Sequence, residues 1–193
     1  MLRLRVPVAV RASPRDAVVG VVGRDAAAPE AMLWQPAYIA LGSNLGDSIA
    51  MIERAVEAIG SLPDTRLFRR SSLYRTPPFG PVVQADFINA VVGVLTRNEA
   101  PQLWQQLRSL ERALGRREQR TRWGPREIDL DLLAHGNSVR EDAELTLPHP
   151  GIPERDFVLY PLRDVAADLL IPRFGRVREL AVRVEDRGVE RLA

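Results

Sequence analysis

The segment that decides the fold is Arg122-Trp123-Gly124-Pro125-Arg126-Glu127-Ile128-Asp129-Leu130-Asp131-Leu132-Leu133. Its second half alternates apolar and acidic residues, which predicts a β-strand with one buried face. The other face carries Asp129 and Asp131, whose backbones lie roughly 6–7 Å apart in a strand. Two carboxylates this close repel each other unless a cation lies between them.

A divalent metal is the natural cation for this pair, because Mg²⁺ prefers carboxylate and phosphate oxygens. Two metal ions about 4 Å apart can be bridged by carboxylates at this spacing. The Arg-rich stretch upstream indicates a polyphosphate substrate, and Trp123 offers a face for a planar ring. The alternative is a solvated strand face with salt bridges to nearby Arg, and an isolated Asp-x-Asp favours that alternative.

The composition is that of one ordinary globular domain with a tail, because the chain has 193 residues and 46% of them are hydrophobic. No apolar run of about 18 residues occurs, so no membrane span is expected. The absence of cysteine excludes disulfides and thiolate metal sites and agrees with the cytoplasm, the location that we expect. The formal net charge is only +2, and all 27 basic residues are Arg, which suits bidentate phosphate contacts.

The first 36 residues differ from the rest of the chain, because Arg, Ala, Val, Pro and Asp follow one another there without a clean period. Asp16, Asp25 and Glu30 argue against a transit peptide. We therefore predict a flexible extension of unknown role at 1–36 and one folded domain at 37–193.

Strand and helix patterns alternate within the predicted domain. Asp47 or Ser48 is placed to cap the first helix. The expected elements are strands at 38–41, 67–74, 87–95 and 128–133, and helices with apolar stripes over 49–59 and 103–114. Their order predicts an α+β fold with a ferredoxin-like βαββαβ core, in which an antiparallel sheet carries both helices on one face. A C-terminal hairpin and short helices are expected to follow.

Five motifs occur in a fixed order between residues 37 and 172. They are Ala-Leu-Gly-Ser-Asn-Leu-Gly at 40–46, Tyr-Arg-Thr-Pro-Pro-Phe-Gly at 74–80, Phe-Ile-Asn-Ala at 87–90, Arg-Trp-Gly-Pro-Arg with Ile-Asp-Leu-Asp at 122–131, and Leu-Pro-His-Pro at 147–150. Together they resemble the 6-hydroxymethyl-7,8-dihydropterin pyrophosphokinase family, and chance coincidence of all five is negligible. The ferredoxin-like core of that family agrees with the order of elements given above.

The resemblance implies transfer of pyrophosphate from ATP to the hydroxymethyl group of 6-hydroxymethyl-7,8-dihydropterin, which yields AMP and serves tetrahydrofolate biosynthesis. Two Mg²⁺ ions would accompany ATP and be held by Asp129 and Asp131. Arg116 and Arg126 would be the catalytic residues that pair with phosphate oxygens as charge redistributes. The expected partners are these two substrates, without nucleic acid or membrane, and the expected state is a monomer.

The resemblance also implies two sets of binding residues. The pterin pocket would contain Thr76, Pro77, Pro78, Phe79, Asn89, Trp123 and Phe157. The ATP site would contain Glu111, Arg122, Leu132, Thr146, His149 and Arg155. Within the pocket, Trp123 and Phe157 would sandwich the bicyclic ring and Asn89 would read its edge. For Asn89 alone a hydrogen bond to a neighbouring loop is the simpler explanation, and for Glu111 a surface salt bridge.

The sequence departs from the family pattern at several positions. Glu118 stands where many members have Arg, Arg108 where Gln is frequent, and Pro150 where Tyr is frequent. Phe87 keeps the ring but not the hydroxyl of a frequent Tyr. None of these positions belongs to the expected metal pair or pterin sandwich, so activity is still expected.

Two other functions are compatible with parts of the sequence. An RNA-binding module of the same fold would need two or three aromatic residues on its open sheet face, where Asp129, Asp131 and Asn89 stand instead. A related nucleotidyl transferase could use the same Asp pair on another acceptor, and only the pocket around Asn89 and Trp123 argues against it.

Overall fold

The computed structural model describes residues 33–116 and 124–192 of the chain. The predicted extension therefore falls almost wholly outside the described residues, as do Arg122 and Trp123. The elements, in chain order, are β1 (Gln35–Ser43), α1 (Ser48–Gly60), β2 (Thr65–Arg70), β3 (Tyr74–Thr76), β4 (Phe87–Thr96), α2 (Ala100–Ala113), β5 (Asp129–His135), β6 (Arg140–Glu141), β7 (Thr146–Leu147), a 3₁₀ turn (Ile152–Glu154), α3 (Asp156–Ala166), β8 (Leu170–Ile171), β9 (Gly175–Arg176), α4 (Val177–Arg183) and β10 (Glu190–Arg191).

The fold is a mixed α+β arrangement around a six-stranded antiparallel sheet with the strand order β10-β3-β4-β1-β5, in which β2 also pairs with β4. The long strands β1 and β4 lie at its centre and pair over nine residues, from Gln35 opposite Thr96 to Ser43 opposite Ile88. The two helices predicted first are present, and Asp47 caps α1 by accepting the N–H of Ala50 at 3.0 Å, which confirms that prediction.

The prediction of one strand over 67–74 was wrong, because the chain leaves the sheet between β2 and β3. At that point the hydroxyl of Ser71 accepts the N–H of Val91 at 3.0 Å, in place of a backbone carbonyl. The next N–H, that of Ser72, turns to the carboxylate of Asp164 on α3. Side-chain acceptors of this kind compete with strand pairing, and the sequence pattern does not reveal them.

Helices cover both faces of the sheet, but unequally. The predicted helices α1 and α2 pack on one face, and the buried residues of this layer include Ile39, Leu41, Ile52, Ile59, Leu103, Leu107, Leu130 and Leu132. The helix α3 packs on part of the other face, against Tyr38, Val91 and Leu133. The prediction that helices occupy one face therefore holds for α1 and α2 only.

The second face is polar at the end that α3 leaves uncovered. One row of paired residues across the sheet contains Tyr74, Asn89, Gly42 and Asp129. Residues directly opposite one another in a ladder project on the same side. This end of the sheet therefore combines an amide, a carboxylate and a glycine that leaves room above the backbone.

The C-terminal part adds short elements to this core. The predicted C-terminal hairpin corresponds to β8 and β9, and α4 follows it. The chain then returns to the main sheet, where β10 pairs with β3, so that Glu190 lies opposite Arg75. A strand of two residues has no detectable period, and the sequence analysis did not predict it. Within the described ranges, no helix is long and apolar enough to cross a membrane.

Tyr74 links β3 to α3 on the second face of the sheet. Its side chain is buried in β3, and its hydroxyl donates a hydrogen bond of 2.8 Å to the Oδ2 atom of Asp164. Burial, and secondarily this carboxylate, raise the pKa of Tyr74 from 10.0 to about 12. The folded state therefore favours the protonated hydroxyl. Its contribution to stability is complete below pH 10.0 and is lost as the pH rises to about 12.

We expect the free energy of unfolding to decrease between pH 10.0 and about 12, and to decrease less steeply in Tyr74→Phe. The sequence contains no Lys, so the three Tyr residues are the main groups that titrate in this range. Urea unfolding at a series of pH values, with tyrosinate absorbance recorded in parallel, measures both quantities. Identical pH slopes in the two proteins would contradict the assignment.

Candidate active site

A cleft opens above the polar end of the sheet, with about 690 Å³ of space not filled by atoms, counted out to its mouth. The strands β1, β3, β4 and β5, the segment between β3 and β4, and the start of α3 all contribute to its wall. The residues that line it are Ala40, Leu41, Gly42, Thr76, Pro77, Phe79, Gln84, Phe87, Asn89, Arg126, Asp129, Asp131, Arg155, Phe157 and Val158. The cleft is therefore apolar at one side and charged at the other.

The two carboxylates enter the cleft as the strand pattern predicted. Asp129 pairs with Gly42 and Asp131 pairs with Ala40 across the ladder between β5 and β1. Because a glycine and an alanine stand beside them, little side-chain volume fills the space above the two carboxylates. Both acidic side chains remain accessible from the cleft, at 17% and 36% of their surface.

Asp131 is the less compensated of the two carboxylates. Its ion pair with Arg155 is long, with 3.9 Å between Nη1 and Oδ2. Desolvation in the cleft wall, and then repulsion by Asp129, raise the pKa of Asp131 above its usual value. A cation placed between the carboxylates would remove this penalty, since it favours the charged form.

Asp129 is neutralised by two guanidinium groups. Its Oδ1 atom accepts a hydrogen bond of 2.5 Å from Arg116 Nη1, and its Oδ2 atom accepts one from Arg126 Nη1. Arg116 Nη1 also donates to Glu111, whose side chain is only 1% exposed. Glu111 also accepts the backbone N–H of Leu130 at 2.8 Å. The buried Glu111 therefore fixes Arg116 to the strand that carries the carboxylates.

Arg126 is held by its backbone as well as by its side chain. The amide of Asn44 connects it to the opposite wall: Oδ1 accepts the N–H of Arg126 at 2.8 Å, and Nδ2 donates to Gln84 Oε1 and to the carbonyl of Ala85. Within the described residues, the Nε atom of Arg126 is buried without a hydrogen-bond partner. A buried guanidinium donor without a partner indicates a position where an anion can bind.

The donor set fits magnesium that arrives with a polyphosphate. Among the described residues, no group of three or more His, Cys, Asp or Glu side chains could hold a metal ion by itself. Asp129 and Asp131 would thus supply two carboxylates and leave the remaining positions to other oxygens. Mg²⁺ commonly binds in this way, through one or two carboxylates together with water and substrate phosphates.

His149 lies near Asp131 and Arg155, and a hydrogen bond to its ring fixes its tautomer. The backbone N–H of Gly151 donates to its Nδ1 atom at 3.0 Å, so Nδ1 is an acceptor and Nε2 carries the proton. Burial is the main cause that lowers the pKa of His149, and Asp131 opposes it. The neutral ring can therefore donate a hydrogen bond from Nε2.

The apolar side of the cleft contains the Asn89 amide. Asn89 is buried, and its Nδ2 donates to Thr76 Oγ1 at 2.7 Å, which leaves a second N–H and a carbonyl for a planar polar ligand. A Cβ atom on Gly42 would lie 2.9 Å from Asn89 Oδ1, so glycine is required for this packing. The rings of Phe79 and Phe157 lie beside it, 5.8 Å apart and tilted by 59°.

The structure brings most of the predicted residues together. Of the predicted pterin set, Thr76, Pro77, Phe79, Asn89 and Phe157 line the cleft, while Pro78 lies next to it in sequence without lining it. Trp123 of that set, Arg122 of the ATP set and the family departure Glu118 lie outside the described residues. Sequence analysis had not included Gln84, Phe87, Gly42 or Val158 as site residues, although Gly42 and Phe87 stand inside two of the quoted motifs.

The predicted ATP set includes three members, Glu111, Leu132 and Thr146, that do not line the cleft. Leu132 is 2% exposed and packs with α1 and α2 on the opposite face, because strand alternation turns it away from Asp131. Glu111 is buried behind Arg116 and does not reach the cleft, so neither the predicted ATP contact nor a surface salt bridge describes it. Thr146 is exposed on β7 and does not line the cleft.

An antiparallel sheet with an acidic pair, anchored guanidinium groups and an aromatic pocket defines a class of protein, a transferase of phosphorylated groups to a planar acceptor. Residues 38–167 match the family described as 7,8-dihydro-6-hydroxymethylpterin-pyrophosphokinase (HPPK). The chain belongs to this family. It catalyses the family reaction, pyrophosphoryl transfer to hydroxymethyldihydropterin in folate biosynthesis. This assignment decides against the RNA-binding module and the transferase with another acceptor.

Curated relatives support the assignment over most of the chain. The 2-amino-4-hydroxy-6-hydroxymethyldihydropteridine pyrophosphokinase of Methylorubrum extorquens is 44% identical over 156 residues, which are 81% of this chain and 98% of the relative. The protein of the same name from Haemophilus influenzae is 38% identical, over 81% of this chain and 97% of its own length.

Solved structures show that the fold is shared. Two crystal structures of Plasmodium falciparum HPPK-DHPS superpose with TM-scores of 0.64 and 0.63 at 14% identity, each over 80% of this chain. The chain spans less than half of those longer proteins, 46% and 45%. At this identity the likeness concerns the fold alone.

We expect Glu111→Ala to lower the free energy of unfolding by about 3 kcal/mol, because it leaves Arg116 without its buried counter-charge. The same change should lower kcat more than it raises either KM, since Arg116 loses its anchor. Chemical unfolding and steady-state kinetics measure the two effects. Glu57→Ala, an exposed residue of α1, is the control and should change stability by no more than about 0.5 kcal/mol. An unchanged kcat in Glu111→Ala would contradict the anchoring role.

Proposed function

We propose that the cleft performs the family reaction with a division of labour between its two sides. Asp129, Asp131, Arg116 and Arg126 handle the triphosphate of ATP, and the pocket around Asn89 holds the pterin. The observation that carries this proposal is the single continuous cleft in which the acidic pair and the Asn89 amide both line the wall. Their proximity would place the hydroxymethyl group beside the phosphates, and transfer would leave AMP.

Asp129 and Asp131 are the residues that would hold two Mg²⁺ ions. Bound there, the metals would neutralise phosphate charge during transfer and orient the triphosphate. Two observations support this role. Repulsion by Asp129 contributes to the raised pKa of Asp131, and the small neighbours Ala40 and Gly42 leave space above both carboxylates.

Arg116 and Arg126 are proposed as the catalytic cations. Both guanidinium groups bond to Asp129, and each is already fixed, Arg116 by Glu111 and Arg126 by Asn44. A fixed donor stabilises developing charge without reorganising during the reaction. The unpartnered Nε of Arg126 supports a direct phosphate contact.

The pterin side is proposed to select its ligand through hydrogen bonds. Asn89 can donate and accept at the ring edge, while Thr76 holds the amide in orientation. Pro77, Pro78 and Phe79 would form one wall, and Phe157 with Trp123 would stack on the ring. A ligand without the matching groups would leave the buried amide unpaired, which disfavours it strongly.

The remaining ATP contacts are proposed for His149 and Arg155, together with Arg122. The neutral His149 would donate from Nε2 to a phosphate oxygen. Arg155 lies over the ring of Phe157 at 5.8 Å, and Gly151 allows this, because a Cβ there would lie 2.6 Å from Arg155 Nε. Arg155 therefore stands between the phosphate and pterin sides. Thr146, Leu132 and Glu111, which do not line the cleft, stay predicted members of the ATP set.

The wider assignments are also proposals. The strand order β5-β1-β4 followed by β2 and β3 supports a ferredoxin-like core, with the second strand interrupted. The family match over 38–167 supports the catalytic domain at 37–193, with an extension at 1–36. A monomeric protein in the cytoplasm, acting on ATP and the pterin without nucleic acid, is the arrangement we propose.

We expect Asp131→Asn to raise the melting temperature of the metal-free protein by roughly 1–3 °C, because it removes an unfavourable charge. The same substitution should reduce kcat by about 10²-fold or more, since a metal ligand is lost. Calorimetry without Mg²⁺ and AMP formation with Mg²⁺ give the two readouts. Asp142→Asn, an exposed carboxylate, should alter neither. A destabilised Asp131→Asn protein would contradict the electrostatic account.

We expect Asn89→Ala to raise the KM for 6-hydroxymethyl-7,8-dihydropterin by about 10- to 100-fold, with the KM for ATP within about twofold, because one or two hydrogen bonds to the ring edge are lost. Steady-state assays that follow AMP release at varied concentrations of each substrate separate the two constants. Gln105→Ala on the exposed side of α2 is the control. Equal increases in both KM values would show that Asn89 does not read the pterin.

A further inference from the structure

Residues 185–191 pass close to the apolar side of the cleft. We call this segment the C-terminal strap. It follows α4, passes the first turn of α3 and ends as β10 beside β3. None of its residues lines the cleft. The strap nevertheless contacts two elements that do, the start of α3 and the segment that follows β3.

A buried carboxylate fastens the strap to α3. Asp156 is 1% exposed, its Oδ2 atom accepts the backbone N–H of Arg187 at 2.7 Å, and its Oδ1 atom accepts the N–H of Phe157 at 2.8 Å. The Arg187 side chain adds a bond of 3.1 Å to the carbonyl of Glu154 and lies 3.9 Å from Asp156 Oδ1. Asp156 thus links the strap directly to the residue that carries the Phe157 ring.

From this anchor the Arg187 guanidinium extends over the ring of Phe79, with 5.0 Å between its central carbon and the ring centroid. On its other side, Phe79 meets Phe157 at 5.8 Å. The next strap residue, Gly188, has a φ of +92°, and a Cβ there would lie 3.8 Å from Pro77. The strap therefore lies against Pro77 and Phe79, two residues that line the cleft, although no strap residue lines it.

We propose that Arg187 is a positioning residue that sets the affinity for the pterin. It holds the Phe79 ring in place by a cation–π contact, and Asp156 fixes Arg187 in turn. The inference rests on the proposed function, because it requires that Phe79 belong to the pterin pocket. Holding the ring before the ligand binds removes part of the ordering that binding would otherwise require.

The strength of such a contact sets the size of the effect. A cation–π contact at a partly exposed site corresponds to about a two- to fivefold change in affinity. The Arg187 side chain is 37% exposed, which places it in this class. Arg187→Gln removes the charge but leaves the backbone N–H that binds Asp156, so the strap stays attached. The change should therefore weaken pterin binding without altering ATP binding.

The test measures binding of 6-hydroxymethylpterin by its fluorescence, in the presence of Mg²⁺ and a non-hydrolysable ATP analogue, in the full chain. Arg187→Gln should raise the Kd for the pterin about two- to fivefold, with the ATP-analogue Kd unchanged. Arg187→Lys, which keeps a cation near the ring, should lie between the wild type and Arg187→Gln. Arg183→Gln, an exposed Arg on α4 with the same charge change, is the matched control and should bind as the wild type does.

A double-mutant cycle separates positioning from a general effect of charge. Phe79→Leu removes the ring, so Arg187→Gln should have no further effect on the pterin Kd in that background. Equal effects of Arg187→Gln with Phe79 and with Leu at this position would overturn the inference. So would an Arg187→Gln protein that binds both ligands less well than the Arg183→Gln control.

The outcomes also distinguish this inference from the function on which it rests. If Phe79→Leu weakens pterin binding and Arg187→Gln does not, the pocket assignment stands and the positioning role fails. If Phe79→Leu leaves pterin binding unchanged, the pocket assignment fails and takes the positioning role with it.

Discussion

Charge compensation around Asp129 is the constraint on which the site depends. Two carboxylates on one face of β5 repel each other. Ion pairs of Arg116 and Arg126 with Asp129 reduce this repulsion. Arg116 can hold its place only because Glu111 is buried behind it and also bonded to the strand. Removing any one member would leave a charge unmatched, and of the two carboxylates Asp131 is the one whose pKa is raised. The excess negative charge is thus concentrated where a metal-bound nucleotide can use it.

The two faces of the sheet carry different groups of residues, the apolar core on one face and the cleft on the other. Successive residues of a strand point to opposite faces, so β5 contributes Leu130 and Leu132 to the core and Asp129 and Asp131 to the cleft. The core face is covered by α1 and α2, whereas α3 covers only part of the other face. A charged site can therefore stand directly above a fully apolar layer. Substitutions on the two faces of the same strand should have different consequences.

The cleft is assembled from residues far apart in sequence by a few polar side chains with several partners each. Asn44 joins Gln84 and Ala85 to Arg126, and Asp156 joins the C-terminal strap to the first turn of α3. Each of these side chains is buried and satisfies backbone N–H or carbonyl groups that would otherwise be unpaired. Their effect is to hold the two sides of the cleft at a fixed separation before substrates bind.

The sequence by itself determined the strand that carries Asp129 and Asp131, the helices α1 and α2, and the cap of α1 at Asp47 or Ser48, because periodicity and local hydrogen bonding depend on neighbours along the chain. The sequence also indicated the family, through five motifs that occur in a fixed order. Only the tertiary structure decided that Leu132 faces the core, that Glu111 supports Arg116 from behind, that Ser71 interrupts the second strand, and that Arg187 reaches Phe79. These relations depend on which residues meet across the sheet and on what burial does to their charges, and a local pattern contains neither.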